Sequence, residues 1–142
     1  MVDKLYEASN AGVKIQMIIR GICCLIPGIP GMSENIEFFF IVDKFLEHTR
    51  LYVFGNNNNP KIYISSADWM TRNIENRVEV SCPIYDENIK KELLETFEIS
   101  WNDNVKARLL NEDQNNEYRK NNKTKIRSQL ALYDYYSKKL EN

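Results

Sequence analysis

The chain has 142 residues, 43% hydrophobic and 27% charged, which suits one domain built on one core. Nineteen basic residues stand against twenty acidic ones, for a formal net charge of -1. Whole-chain charge therefore gives no argument for nucleic acid or an anionic membrane as partner, and a polyanion would need a local basic cluster.

Lys4 to Ala11 has a helical pattern, with Leu5, Tyr6 and Ala8 on one face and Gly12 as the residue just past its end. Val13 to Ile19 alternates and then runs apolar, as a strand buried on both faces does. Arg20-Gly21 follows at its C-terminal end, and Pro27-Gly28-Ile29-Pro30-Gly31 reads as a tight loop. Ile36 to Phe40 is a strand, and Val42 to Glu47 fits either a short helix or an irregular approach. Arg50 to Phe54 and Lys61 to Ser65 alternate and are joined by Gly55 and four asparagines, the pattern of a hairpin. Asp68 to Glu75 is expected to form a helical turn and Arg77 to Cys82 a strand. Asp86 suits the N-cap of a helix carrying Ile89, Leu93, Leu94 and Phe97. Residues 111–123 read as a polar, asparagine-rich, mobile loop. Thr124 is placed to cap a final helix whose apolar face is Ile126, Leu130, Tyr133 and Tyr136.

These elements predict an α/β fold with a mixed β-sheet flanked by helices. The expected divisions are a domain over 1–110, the loop over 111–123, and a terminal helix over 124–142 packing on the same domain. Cys23 and Cys24 are adjacent and Cys82 stands apart, a poor disulfide framework that favours a reducing, cytoplasmic setting. With no second cysteine pair or histidine cluster, the pair reads as packing and not as a metal site. No signal-peptide pattern is present. The apolar stretch from Ile15 to Ile29 is interrupted by Arg20, Gly21, Pro27 and Gly28, so no transmembrane segment is expected. Met1 leads almost directly into what reads as mid-domain sequence, so the chain is expected to be a piece of something longer.

His48 is the only histidine. Arg50 lies two residues on, and after the hairpin comes Ser65-Ser66-Ala67-Asp68. A histidine, a cation two residues later and a hydroxyl-rich turn can converge at one end of a sheet. That set suits phosphoryl transfer: the histidine attacks or protonates, the cation stabilises equatorial oxygens, and hydroxyls and amides orient them. Arg50 could equally pair with a surface carboxylate, and Asp68 reads best as the N-cap of the turn through Met70. Ser66, Arg72 and Arg77 are possible supporting residues.

His48-Thr49-Arg50 and Ser65-Ser66-Ala67-Asp68 resemble, with changes, the His-x-Lys and Gly-Ser-x-Asn layout of the phospholipase D superfamily. Arginine stands for lysine, Ser65 for glycine and Asp68 for asparagine. A more specific likeness starts at Arg20-Gly21-Ile22-Cys23-Cys24-Leu25 followed by Pro27-Gly28-Ile29-Pro30-Gly31. Ser33 to Ile36, Phe45 to His48, Tyr63 to Met70 and Arg77 to Val80 continue it in order. Together they resemble the C-terminal, second phospholipase D-like domain of type-1 polyphosphate kinases.

The resemblance implies reversible transfer of the terminal phosphate of ATP to inorganic polyphosphate, between two phospholipase D-like domains facing a tunnel. It implies a phosphorylated histidine in the preceding domain, His48 as general acid or base, and Arg20 as a phosphate anchor, with Arg50 as a secondary one. It implies Mg2+ with ATP or ADP, liganded mostly outside this chain. The remaining domains of the enzyme, a homo-oligomeric full-length form, and no nucleic acid are the expected partners. The isolated domain is expected to be inactive. Ile26, Glu37 and Phe39 depart from the basic residues usual in the family, a loss of positive charge near the tunnel. Two rival readings are a phosphodiesterase or nuclease half-site, and a non-catalytic polyphosphate-binding module.

Overall fold

The computed structural model describes residues 1–110 and 115–141. Residues 111–114 of the expected polar loop, and Asn142, lie outside the described residues. The chain divides into two compact units, Met1–Leu46 with Phe97–Asn142, and Glu47–Thr96.

The first unit opens with α1, Val2–Asn10. Gly12, at φ +84°, occupies the left-handed position after it. Its N–H donates to Ser9 O and that of Val13 to Ala8 O, the paired closing bonds of a Schellman motif. Strands β1, Ile15–Ile19, and β2, Ile36–Ile41, run parallel. Strand β6, Ala107–Leu109, lies antiparallel to β2, so the order is β1-β2-β6 and the sheet is mixed.

The doubly buried strand is β2 and not β1, contrary to the sequence expectation. The segment Val13–Ile19 is an edge, whereas β2 sits in the middle with both faces covered. Phe38 packs with Leu25 and Ile36 against Leu5 and Tyr6 of α1. Phe39, on the opposite face, packs with Ala107, Trp101 and Phe97. Burying each such ring is worth about 1.5–3 kcal/mol, which is why an unbroken apolar run is held here. Trp101 and Phe97 belong to the last turns of α3, Glu87–Trp101, where their rings stack 5.8 Å apart.

The link from β1 to β2 contains no helix, although parallel neighbours usually need one. Side-chain oxygens satisfy its backbone instead. Tyr6 Oη accepts from Ile26 N–H at 3.1 Å, and Ser33 Oγ accepts from Ile29 N–H at 3.0 Å while donating to Ile26 O at 2.6 Å. Ser9 Oγ accepts from Asn35 N–H, and Asn35 Nδ2 donates to Ser9 O at 2.9 Å.

The end of this unit is stapled by Asp103, which is 0% exposed. Its Oδ1 accepts from the N–H groups of Val105, Lys106 and Ala107, and its Oδ2 from that of Ser128. Asp43 forms a two-pronged pair with Arg127, both contacts at 2.7 Å. Gln129 reads Phe45 like a backbone partner, donating to its carbonyl and accepting from its N–H. These ties place the start of α4 at Ser128–Leu140, four residues after the expected Thr124 cap, with Arg127 in the N-cap position. The helix buries Ser128 and Gln129, while Leu130, Tyr133 and Tyr136 of the expected apolar face are exposed at 45%, 72% and 41%.

The second unit holds an antiparallel sheet of β3, Leu51–Phe54, β4, Lys61–Ser65, and β5, Ser81–Ile84, in that order. The asparagine turn is real: Asn56, Asn57 and Asn58 all have φ between 43° and 65°. Asparagine tolerates that left-handed region better than most side chains. Strand β5 begins four residues later than expected; just before it, Glu79 and Val80 are engaged by the side chains of Ser65, Ser66 and Asn73. Helix α2 is Thr71–Asn76. Asp86 Oδ1 accepts from the N–H groups of Asn88 and Ile89, capping α3 as its sequence suggests.

Among the described residues, no helix is long and apolar enough to cross a membrane.

Candidate functional site

Strand pairing fixes the first layer of the site. Ser65 at the end of β4 faces Ser81 at the start of β5, and Ser65 N–H donates to Arg50 O just before β3. Three chain segments therefore meet at one end of the second sheet.

Arg50 is the hub. Its Nε donates to Asp68 Oδ1 at 2.8 Å, and its Nη1 donates to the carbonyl of His48 at 3.3 Å. The two side chains of the pair are only 19% and 30% exposed. The bond to Asp68 is the main cause holding the guanidinium above its ordinary value. The structure thus brings Arg50 and Asp68 together and ties them to the backbone of His48, which is exposed. Asp68 is not the expected side-chain cap. Its carbonyl, not its carboxylate, closes the turn by accepting from Met70 N–H at 2.8 Å, and Met70 is the N-cap residue of α2. The carboxylate is drawn instead to the stronger, charged donor.

Tyr52 supports this turn from β3. Its hydroxyl donates to Ala67 O at 2.9 Å and its ring stacks on Trp69 at 5.2 Å. Desolvation pushes the Tyr52 phenol up. Ser65 Oγ accepts from Ala67 N–H and from Ser81 Oγ, so the backbone around Ser66 is held from both sides.

Ser66 leads to a residue that sequence reasoning missed. Its hydroxyl donates to Glu79 Oε2 and accepts from Val80 N–H at 3.0 Å. Glu79 Oε1 accepts from Asn73 Nδ2 at 2.7 Å. Hydrogen bonds first from Ser66 and then from Asn73 hold the Glu79 carboxyl below its ordinary value, and Arg77 and Arg50 add to this. Asn73 is 3% exposed, and its Oδ1 is a buried oxygen with no hydrogen-bond partner among the described residues. The only sequence signal for Glu79 was its place in Arg77-Val78-Glu79-Val80, one of the strings that carry the family resemblance. Arg72 and Arg77 are exposed, on α2 and at its C-cap.

Arg20 belongs to the first unit, one residue beyond β1, and is half-buried. Of the three departures from the family pattern, Phe39 needs correcting. It is 0% exposed and part of the core, so its presence strips no charge from a surface. The Arg119 guanidinium lies 4.7 Å over its ring, supplying a cation there from another segment. Glu37 is exposed and ion-paired with Arg119 at 3.7 Å, and Ile26 is half-buried in the β1–β2 link.

Among the described residues there is no group of three or more His, Cys, Asp or Glu that could hold a metal ion. The donor set of the described residues does not fit a Mg2+ site.

Taken together, these features define an α/β domain whose second sheet ends in a cluster of cation, carboxylates and hydroxyls suited to handling an anion. A model of the polyphosphate kinase C-terminal domain 2 matches residues 1–129. The chain belongs to that family. It is 53% identical over 136 residues to a polyphosphate kinase of Vibrio parahaemolyticus, covering 95% of this chain and 20% of that protein. Against a polyphosphate kinase of Escherichia coli K12 the identity is 47%, with the same coverage. The crystal structure of polyphosphate kinase from Porphyromonas gingivalis superposes with a TM-score of 0.94 at 43% identity, over 99% of this chain and 22% of that one. The chain thus spans about a fifth of the length of these relatives.

Proposed function

We propose that this chain supplies half of a phosphoryl-transfer site in a polyphosphate kinase that reversibly moves the terminal phosphate of ATP onto inorganic polyphosphate. The observation that carries the reading is the family membership over residues 1–129 combined with the Arg50–Asp68 pair beside His48. In this reading the domain is phospholipase D-like, its expected 1–110 body and terminal helix form one functional piece, and the full-length protein works in the cytoplasm as a homo-oligomer. The remaining domains provide the phosphorylated histidine.

His48, exposed at the mouth of the cluster, donates a proton to the leaving group or withdraws one in the reverse direction. Arg20 anchors the transferring phosphate by charge-assisted hydrogen bonds, as transfer of a charged phosphoryl group requires. Arg50 holds a planar fork of donors, one arm fixed by Asp68, and is the secondary anchor. Asp68 and the Ser66–Glu79–Asn73 chain fix the turn and contact no phosphate in this scheme. Arg72 and Arg77 contribute positive charge along the approach. Mg2+ bound with the nucleotide would supply neutralising charge to the phosphates, and its ligands would come from groups outside the described residues.

The test is phosphate transfer from radiolabelled ATP to polyphosphate by the full-length protein and by the 142-residue chain. Full-length protein should be active, and His48→Ala should lower its kcat about 10²–10⁴-fold, the usual worth of a general acid. The chain alone should be silent. Robust transfer by the chain alone, abolished by His48→Ala, would overturn the scheme and make His48 the phosphoryl carrier.

A further inference from the structure

The first sheet treats its two edges differently. Beyond β6 the chain adds another rung: Leu109 N–H donates to Glu117 O, Arg119 N–H donates to Ala107 O, and Arg108 bridges Tyr118 in antiparallel sense. The edge at β1 has no such cover among the described residues.

Backbone geometry shows what that edge lacks. Ile15 N–H donates to Asn35 O, toward β2. Successive residues of a strand turn their N–H and C=O groups to opposite sides, so Met17 and Ile19 also address β2. Gln16 and Ile18 point theirs away from it, two donors and two acceptors repeating at about 6.6 Å. Another extended backbone offers partners at that repeat, and pairing of this kind is how sheets recruit a further strand.

The side chains agree. Strands at a lasting edge carry a proline, a bulge or an inward-pointing charge, as β5 carries Pro83. Ile15-Gln16-Met17-Ile18-Ile19 has none of these and pairs with β2 residue for residue. Ile15, Met17 and Ile19 pack against the Leu25–Phe38 cluster and Ile18 against the Phe39–Trp101 cluster, so both core layers run out to this strand. Yet all four are only half-buried, whereas Phe38 and Phe39 on β2 are 1% and 0% exposed.

Charge selects the occupant. A second copy of β1, laid antiparallel with Met17 on the two-fold axis, pairs Gln16 with Ile18 and sets Lys14 opposite Arg20 at both ends. Like charges directly opposite are destabilising. The flanking cations suit instead a strand that is apolar in its middle and neutral or acidic at its ends.

We propose that β1 is an inner strand of the full-length protein, its outer edge paired with such a segment from the part of the polypeptide outside this chain. The inference rests on the phosphoryl-transfer reading in taking this chain as part of a longer polyphosphate kinase; the relatives it matches are about five times its length. Arg20 follows β1 directly, so the added strand also fixes the backbone that carries the proposed phosphate anchor.

The experiment is hydrogen exchange at single-amide resolution on the full-length protein and on the 142-residue chain, each at two concentrations. In the chain, the Gln16 and Ile18 amides should exchange rapidly while those of Met17 and Ile19 are protected. In the full-length protein, Gln16 and Ile18 should exchange at least about 100-fold more slowly than in the chain. Gln16→Pro gives a second readout, because it deletes an outward N–H and alters an exposed side chain but removes no bond to β2. It should lower the melting temperature of the full-length protein and leave that of the chain nearly unchanged, whereas Met17→Pro should lower both. Rapid exchange at Gln16 and Ile18 in the full-length protein would overturn the proposal. Protection already present in the chain and lost on dilution would make the occupant a second copy, and overturn it too. Transfer activity of the same full-length preparation separates the two readings. Active protein with an open β1 edge leaves the transfer reading standing, and inactive protein with a protected edge leaves the pairing alone.

Discussion

Asp103 shows how much one buried carboxylate can organise. Burial pushes its carboxyl up, but N–H bonds led by those of Ser128 and Lys106 outweigh burial and hold it below its ordinary value. An amide at this position keeps one acceptor and turns the other into a donor aimed at Ser128 N–H. Asp103→Asn is therefore expected to cost about 1–3 kcal/mol, read as a shift in the chemical-denaturation midpoint at unchanged slope. The same geometry sets a pH dependence. Asp43, held low chiefly by Arg127, behaves like Asp103. A carboxyl whose folded value is depressed contributes stability that is complete above its unfolded value, about 3.9 for aspartate, and is lost as pH falls through the folded value. Thermal unfolding should be flat from neutral pH down to about pH 5 and decline below about pH 4, with a shallower decline in Asp103→Asn.

At the scale of elements, the sequence was most legible where a local rule and the tertiary structure agree. Gly12 past α1, Asp86 at the start of α3 and the asparagine hairpin could all be read directly, because each is decided within a few residues. Gly12→Ala keeps open space around the new methyl group but forces a left-handed alanine, so it should destabilise by about 1–2 kcal/mol. Asn57→Val, measured the same way, should cost at least as much, whereas Asn57→Gly should be neutral or stabilising. Misreadings fell where distant partners decide. Thr124 is a fair local cap, but Asp103 and Asp43 fix the chain at Ser128 and Arg127, and the helix starts there. Apolar richness in Val13–Ile19 hid the fact that β1 is an edge, which only the strand order reveals. In the candidate site, the meeting of Arg50 with the Ser65–Asp68 turn was legible from type and spacing, although Asp68 was read as a cap. Glu79 was not, because nothing within its own strand pattern announces that Ser66 and Asn73 converge on it.

At the scale of the whole molecule, the second unit leaves Phe54, Trp69, Val78 and Val80 exposed at 55%, 40%, 99% and 66%. So many solvent-facing apolar groups on a 50-residue unit suit surfaces that a partner covers, and the relatives this chain matches are about five times longer than it. The isolated chain should bind a hydrophobic dye such as ANS in its native state, and the same residues in the full-length protein should be shielded from it. Equal dye binding per molecule by both would contradict that assignment. The side-chain-bonded link between β1 and β2 bears on where this chain can be trimmed. Tyr6 and Ser9, both on α1, hold Ile26 in the middle and Asn35 at the far end of that link, and Arg20 stands at its entrance. A boundary drawn at Gly12 would look harmless, since it removes a short helix and spares every strand. It would nonetheless untie the segment that follows Arg20, leaving every strand in place while the long link between two of them loses the side chains that hold its backbone.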